Sequence, residues 1–284
     1  MLIDLIDYAI DNREEILSSL RGSEELFSKA RDEWYDFKPT PRNVRLVGID
    51  SSYNFFPYLG FYLFAVDAIS IDATSQLIDK PRVKVGIGKF EVEEEHFIHD
   101  PRSELQSICL DFEYELALKS SKVSDIVMVD GSVLARYYDR RERRSKPFYE
   151  HAKGLMEVEN IVFIAKTSTS NTVLNGNMGD IYYFDKASST SGFSRPIYDR
   201  SGVTVFYARL SSFSPCLRFE VPGKISEEEV KDVLCRVSVN SVNGYPYELL
   251  LAHESCKVEE KTIEDIAYTL GLFLETGGRE VVGE

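Results

Sequence analysis

Residues 44–52, VRLVGIDSS, decide the fold of this chain. Their apolar residues are bounded by small ones, a pattern that predicts a buried strand ending on Asp50. Residues 126–132, IVMVDGS, repeat the pattern and end a second predicted strand on Asp130. A carboxylate at the end of such a strand lies at the edge of an open α/β sheet, where this class of fold binds its ligands. The two aspartates converge if the strands are neighbours.

Two carboxylates flanked by small residues suit a hard divalent cation, which needs oxygen ligands and room for water or phosphate. The alternative is that Asp50 and Asp130 each cap the turn or helix that follows, a role that aspartate often has. Taken alone, each aspartate is more consistent with a capping role. The pair, together with a third acidic residue on a helix, favours the metal site.

The composition indicates a folded chain with a real core. Its 284 residues are 43% hydrophobic and 12% aromatic, which argues against disorder. No apolar run approaches the roughly 18 residues that span a bilayer, and acids stand at the N-terminus where a signal peptide has basic residues. The four cysteines form no CxxC pair, so we expect reduced core thiols rather than a zinc site. These features predict a cytoplasmic protein without a membrane segment.

The net charge of −14 is unusual for a protein that grips nucleic acid alone, because phosphate binding usually requires a basic surface. Basic residues do crowd the segment after the second aspartate strand: Arg136, Arg140, Arg141, Arg143, Arg144 and Lys146. They are either a solvated face or a local binding surface beside the predicted metal ligand.

The chain is predicted to alternate helices and strands within one domain, 1–284. Residues 1–40 form a helical extension, and 44–270 form the core, with an insertion at about 133–160. We expect strands at about 58–71, 83–90 and 161–166, and strands joined by turns over 180–220. We expect helices over about 100–120, from Ser226, and over about 263–275.

This order of elements predicts an α/β, ribonuclease-H-like mixed sheet flanked by helices. In nucleases of that class, carboxylates hold two divalent ions that activate water and stabilise the leaving oxygen. The helix over 100–120 offers the third carboxylate. Glu113 and Glu115 differ by roughly 200° around that helix, so only one of them can point at the site.

Five motifs, taken together, resemble the NurA nucleases: VGIDSSY, FEYELA, IVMVDGS, IAKTSTS and GYPYELLLAH. The resemblance covers about 44–270 and leaves the N-terminal helices unmatched. It implies a manganese-dependent DNA nuclease on a ribonuclease-H-like fold, found mainly in archaea. It also implies a homodimer that acts with the hexameric translocase HerA in DNA end resection for double-strand break repair.

The resemblance also implies roles for individual residues. Asp50 and Asp130 become metal ligands, and Glu113 becomes the helix ligand, with Glu115 as the alternative. His253 matches a late histidine of the family, a metal ligand or proton-transfer group, although a histidine on an apolar face is often a core residue. Two manganese ions are expected, with Mg²⁺ as an alternative, since both use oxygen ligands; a histidine ligand favours manganese.

Further residues are expected to contact DNA. Lys166 and Ser168 match the K-x-S loop of the family, where the lysine binds a phosphate or is merely exposed. Tyr245 and Tyr247 either stack on a base or pack a Gly-Pro turn. Four arginines would line a channel into which a motor feeds DNA: Arg136, Arg140, Arg143 and Arg144. Because the motor delivers the DNA, the rest of the protein can be acidic.

The resulting hypothesis is a two-metal DNA nuclease with 5'-3' exonuclease and single-strand endonuclease action. The alternative is a non-catalytic ribonuclease-H-like scaffold that docks a DNA motor, since fold does not fix function. Such a scaffold would tend to lose one of Asp50, Glu113 and Asp130, whereas this chain keeps all three. A sugar-kinase-type phosphotransferase ranks low, because no glycine-rich phosphate loop follows either aspartate.

Overall fold

The computed structural model describes residues 2–18, 24–90, 92–93, 96–97, 101–134 and 146–272. Numbered in chain order, the helices are α1 (Leu2–Asp11), α2 (Arg13–Ser18), α3 (Glu24–Asp32), α4 (Pro101–Ser120), α5 (Lys146–Leu155), α6 (Asp180–Ala187), α7 (Glu227–Val237), α8 (Tyr247–Cys256) and α9 (Glu260–Thr269). The predicted start at Ser226 is confirmed: its side chain and that of Glu229 form a reciprocal capping box.

The strands build one large mixed sheet and two small hairpins. They are β1 (Trp34–Asp36), β2 (Leu46–Pro57), β3 (Tyr62–Ile71), β4 (Arg82–Gly88), β5 (Val92–Glu93), β6 (His96–Phe97), β7 (Ile126–Asp130), β8 (Ile161–Ala165), β9 (Gly192–Ser194), β10 (Ile197–Tyr198), β11 (Val203–Arg209), β12 (Leu217–Pro222), β13 (Ser241–Val242) and β14 (Tyr245–Pro246). The large sheet has the order β1-β9-β11-β12-β8-β7-β2-β3-β4, with β10 paired to β11.

Only the centre of this sheet is parallel. Strand β2 pairs in parallel with β7, and β7 with β8, whereas β3 pairs antiparallel with β2 and β4 antiparallel with β3. Strands β12, β11, β9 and β1 extend the other side, also antiparallel. The predicted ribonuclease-H-like mixed sheet flanked by helices is therefore confirmed.

Helices cover both faces of the parallel centre. Alternate residues of the strands face α4 and α5 on one side, and the others face α7 and α8 on the other, as the two-residue period of a strand requires. Both faces are therefore apolar, which explains the uninterrupted hydrophobic runs that mark these strands in the sequence. The four cysteines are free and buried, as predicted.

A close backbone contact fixes α8 against β2. A Cβ atom built on Gly48 would lie 2.3 Å from the backbone carbon and oxygen of Glu248 in α8. Only glycine allows an approach of this kind. Gly48 thus sets the distance between α8 and the sheet.

Three expectations about secondary structure are wrong. Residues 34–36, within the predicted helical extension, form strand β1, which pairs with β9 in the large sheet. Strand β2 does not end at Asp50 but runs on to Pro57, because β3 pairs with it along that whole length. Residues 180–187 form helix α6 instead of a strand. The Asp180 carboxylate accepts hydrogen bonds from the backbone nitrogens of Val173 and Leu174, and this contact outweighs the β-propensity of the helix's aromatic residues.

The periphery carries exposed apolar side chains. Ile3, Leu5 and Ile10 of α1 are more than half exposed, and β4 exposes Val83 and Ile87 at the edge of the sheet. Among the described helices, none combines the length and apolar character that crossing a bilayer requires. The organisation of 1–284 as one domain stays a prediction.

Candidate metal centre

Asp50 and Asp130 meet where the parallel pairing of β2 and β7 ends. The last paired residues are Ile49 and Val129, so each aspartate is the next residue on its strand. Both side chains point to the face covered by α8, because they are in phase with Leu46 and Met128, which pack on that side. The register of two strands brings together two acids that are far apart in the chain.

His253 of α8 completes the group. Its Nδ1 atom lies 2.9 Å from Oδ2 of Asp50, and one ligand atom from each of Asp50, Asp130 and His253 lies within 4.8 Å of the other two. Among the described residues, this is the group of three or more potential ligands compact enough to hold a metal ion. About half of the His253 side chain is exposed, so the centre is open to solvent.

The electrostatics of the centre fit a cation. Asp50 is 6% exposed, and its burial, followed by the negative charge of Asp130, raises the pKa of its carboxyl group, while the hydrogen bond with His253 opposes the rise. Two carboxylates this close repel each other, and a divalent cation between them would remove the repulsion. Two carboxylates and an imidazole form a donor set suited to manganese and similar ions.

Lys166 and Tyr245 surround the second aspartate. The Tyr245 hydroxyl donates to Oδ1 of Asp130 at 3.3 Å, and Lys166 Nζ lies 3.8 Å from Oδ2. The same ammonium lies 4.5 Å from the centroid of the Tyr245 ring. Burial, and then the charge of Asp130, raises the pKa of the Tyr245 hydroxyl, which therefore stays protonated as a donor. Stacking of Tyr245 on a base stays a prediction, since the contacts seen are with the protein itself.

Glu113 lies close to the centre but outside the group of three. It projects from α4, on the opposite face of the sheet, where its carboxylate accepts a hydrogen bond from the Ser51 hydroxyl. It is 2% exposed and adjoins the residue that follows Asp50. Glu115, the alternative, instead accepts from Arg82 at 3.0 Å and from Lys119 at 2.7 Å. The two glutamates thus diverge as the helical geometry predicts.

The remaining predicted contacts are distributed unevenly. Ser168 lies in the loop after β8, where its hydroxyl accepts from the backbone nitrogen of Ser170 at 3.2 Å. Tyr247 begins α8. Arg136, Arg140, Arg143 and Arg144 lie outside the described residues.

A buried ion pair next to the centre was missed by the sequence reasoning. Arg218 Nε lies 2.7 Å from Oε1 of Glu220, and both side chains are at most 3% exposed. Oε1 of the same carboxylate also accepts from the Ser132 hydroxyl at 2.5 Å, and Oε2 from the backbone nitrogen of Leu134 at 3.0 Å. Glu220 thereby fixes the turn that follows Asp130. The available signal was two opposite charges inside the apolar stretch LRFEVP.

The fold and this centre define a ribonuclease-H-like α/β protein with a carboxylate–histidine group compact enough to hold a metal ion. Residues 44–258 match the family model of the NurA domain. The chain belongs to the NurA family.

Individual relatives agree with this assignment. A protein of Methanocaldococcus jannaschii, described as a probable DNA double-strand break repair nuclease NurA, is 23% identical over 351 aligned positions, covering 94% of this chain and 89% of the relative. The crystal structure of the NurA nuclease from Sulfolobus solfataricus superimposes with a TM-score of 0.74 at 20% identity, covering 96% of both chains. A NurA structure bound to dAMP and manganese gives a TM-score of 0.65 at 10% identity, covering 98% of both chains.

Proposed function

We propose that this protein is a manganese-dependent DNA nuclease. The observation that carries the proposal is the convergence of Asp50, Asp130 and His253, whose ligand atoms lie within 4.8 Å of one another at an open sheet edge. Two relatives are described as DNA double-strand break repair nucleases, and one structural neighbour holds manganese together with a nucleotide. Both points support extending the activity to this chain.

Each residue has a role in this proposal. Asp50, Asp130 and His253 hold the cation, which when bound supplies Lewis-acid polarisation of a phosphate and activation of water. Glu113, which contacts the residue after Asp50, would add a carboxylate for a second ion; two Mn²⁺ are expected, with Mg²⁺ as the alternative. Lys166, whose Nζ lies 3.8 Å from Asp130, places a positive charge where the phosphate enters.

The wider setting is also proposed. We infer a homodimer that acts with a HerA-type translocase in DNA end resection, with 5'-3' exonuclease and single-strand endonuclease action. The net charge of −14 supports a partner, because a motor that delivers DNA removes the need for a broad basic surface. Arg136, Arg140, Arg143 and Arg144 would supply the local positive charge along the DNA path.

The test is cleavage of labelled single- and double-stranded DNA by wild type and Asp50→Asn, with Mn²⁺, Mg²⁺ or EDTA. Asp265→Asn on α9 is the matched control. We expect metal-dependent cleavage that falls at least about 100-fold in Asp50→Asn only, because several kcal/mol of transition-state stabilisation depend on the ligand. A folded wild type that cleaves neither DNA, with or without the motor, would instead favour the scaffold.

A further inference from the structure

A cleft of about 500 Å³ lies on the far side of the sheet edge from His253. One wall is the turn after β7, with Ser132 and Leu134, and the other is the loop after β8, from Ser168 to Val173. Ser132 is two residues beyond Asp130, and Ser168 is two residues beyond Lys166. Both walls of the cleft therefore begin within two residues of Asp130 or Lys166 along the chain.

A buried chain of polar contacts holds both walls. Glu220 fixes the first wall through Ser132 and Leu134, and Arg218 connects Glu220 to the Tyr207 hydroxyl at 2.9 Å. That hydroxyl donates to Asp180 at 3.3 Å. Asp180, which is fully buried, fixes the second wall.

The contacts of Asp180 with that wall are direct. Its carboxylate accepts from the backbone nitrogens of Val173 and Leu174 at 3.0 and 2.9 Å. A buried network that is satisfied in this way makes a rigid structure, since each member would be costly to leave unpaired. The cleft is therefore preformed, as ligand sites usually are.

The lining has the chemistry of a nucleotide site. Hydroxyl groups of Ser168 and Thr172 line it, and such groups bond to phosphate and sugar oxygens. The exposed Arg200 gives the lining a positive charge, which Asp199 opposes. The charge of the buried Arg218 is neutralised by its ion pair with Glu220. Tyr198, half exposed at one end, offers an aromatic face on which a base can stack.

The size of the cleft excludes a duplex. A volume of about 500 Å³ equals that of a cube with sides of about 8 Å. The major groove alone of a DNA duplex is about 12 Å wide. A single unpaired nucleotide is a ligand of the size that pockets of this volume accept.

We propose that this cleft binds one unpaired nucleotide of the DNA strand being cleaved, next to the phosphate that lies at Asp130 and Lys166. The proposal rests on the nuclease function proposed above and adds the position of the strand. The strand crosses the sheet edge from β7 towards β10 and β11, away from α8. Tyr198 stacks on the base, and the hydroxyl-lined loop from Ser168 to Val173 holds the backbone.

Two variants and one control test this position. Thr172→Trp fills the cleft with a bulky ring, and Tyr198→Ala removes the stacking face. Tyr268→Ala on α9 removes a more exposed tyrosine elsewhere. Each variant is assayed on a labelled single-stranded oligonucleotide and on bis(p-nitrophenyl) phosphate, a small diester without a nucleoside. Binding of fluorescent oligo(dT) in EDTA is measured in parallel by anisotropy.

We expect kcat/KM for the oligonucleotide to fall roughly 5- to 150-fold in Tyr198→Ala, the range that loss of one base stack gives. Hydrolysis of the small diester should stay within about twofold of wild type, and Tyr268→Ala should match wild type on both substrates. Thr172→Trp should weaken oligo(dT) binding by a similar factor.

The outcomes separate the two proposals. Unchanged oligonucleotide cleavage and binding in both variants would overturn the nucleotide site, as would an equal loss on both substrates by a folded Tyr198→Ala protein. If Thr172→Trp does not fold, Tyr198→Ala still tests the nucleotide site, because removing a half-exposed side chain should leave the fold intact. A wild-type protein inactive on both substrates would refute the nuclease function instead. The binding measurement would then still test whether the cleft binds a nucleotide.

Discussion

The hydroxyl of Tyr245 donates a hydrogen bond to Oδ1 of Asp130, 115 positions earlier in the chain, and the ring of the same tyrosine carries the ammonium of Lys166. Tyr245 therefore orients one carboxylate of the candidate metal centre and positions the nearest cation. It acts through these two residues, so we describe it as a positioning residue.

Tyr245→Phe keeps the ring and removes the donor. We expect a decrease of roughly three- to tenfold in cleavage and a weaker apparent affinity for Mn²⁺, because a hydrogen bond to a carboxylate is worth about 1.5–3 kcal/mol and this one is long. Titration of cleavage with Mn²⁺ measures both. If Tyr245 stacks on a base instead, Tyr245→Phe will match wild type and only Tyr245→Ala will raise KM.

Glu113 and Glu115 should respond differently to the same substitution. Glu113→Gln keeps an acceptor for Ser51 but removes the charge beside the centre, so we expect cleavage to fall about 100-fold. Glu115→Gln breaks only ion pairs with Arg82 and Lys119, so its cleavage should stay within about twofold of wild type. DNA cleavage and urea unfolding of both variants give the comparison. Full activity in Glu113→Gln would remove it from the metal site.

Gly48→Ala should damage stability and activity together. Its new methyl group would overlap the backbone of Glu248, so α8 and with it His253 must move. We expect the free energy of unfolding to fall by about 1–3 kcal/mol, the usual cost of overpacking, with a larger relative loss of cleavage.

Gly154→Ala on α5 is the control for this substitution. The atoms nearest to its Cβ are side-chain atoms of Leu118 at 3.3 Å, and alanine favours a helix over glycine by about 1 kcal/mol. Urea unfolding should give this variant a free energy of unfolding equal to or higher than that of wild type. A Gly48→Ala protein as stable as wild type would show that α8 can pack at another height.

The low pKa of the Asp79 carboxyl group predicts part of the loss of stability in acid. Backbone and side-chain hydrogen bonds from Lys80 and Arg82 lower the pKa of its carboxyl group to about 2. Because this folded-state pKa lies below the unfolded value of about 3.9, the stabilisation is full above that value and is lost as the pH falls towards 2.

Asp79→Asn should therefore flatten the dependence of stability on pH. Thermal unfolding between pH 5.5 and 3 should show a shallower fall in Tm for the variant than for wild type. Asp265→Asn serves again as the control and should follow wild type. Parallel curves for Asp79→Asn and wild type would contradict the assignment.

The central strands and the two aspartates of the candidate centre were predictable because their signals are local. Apolar runs ending in Asp50 and Asp130 mark buried strands, and the parallel register follows from the fold class that the element order indicates. His253 came from the resemblance, since nothing local in LLAH distinguishes a ligand from a core histidine.

The rest depends on contacts between distant segments. Helix α6 forms because Asp180 binds the preceding loop and Tyr183 and Phe184 enter a core shared with α3, which no local propensity reveals. The pairing of Arg218 with Glu220 was hidden because charged residues are expected at the surface. The position of Glu113 across the sheet from His253 could be predicted only by knowing which face of the sheet α4 packs against.

The packing of α8 against Gly48 has a consequence for the order in which a ribosome makes the site. Asp50 and Asp130 are synthesised early, whereas His253 arrives only after every strand of the large sheet has been translated. A nascent chain that stops short of α8 carries two carboxylates without the imidazole. Translation thus delays the assembly of the candidate metal centre until the sheet that must hold it is complete.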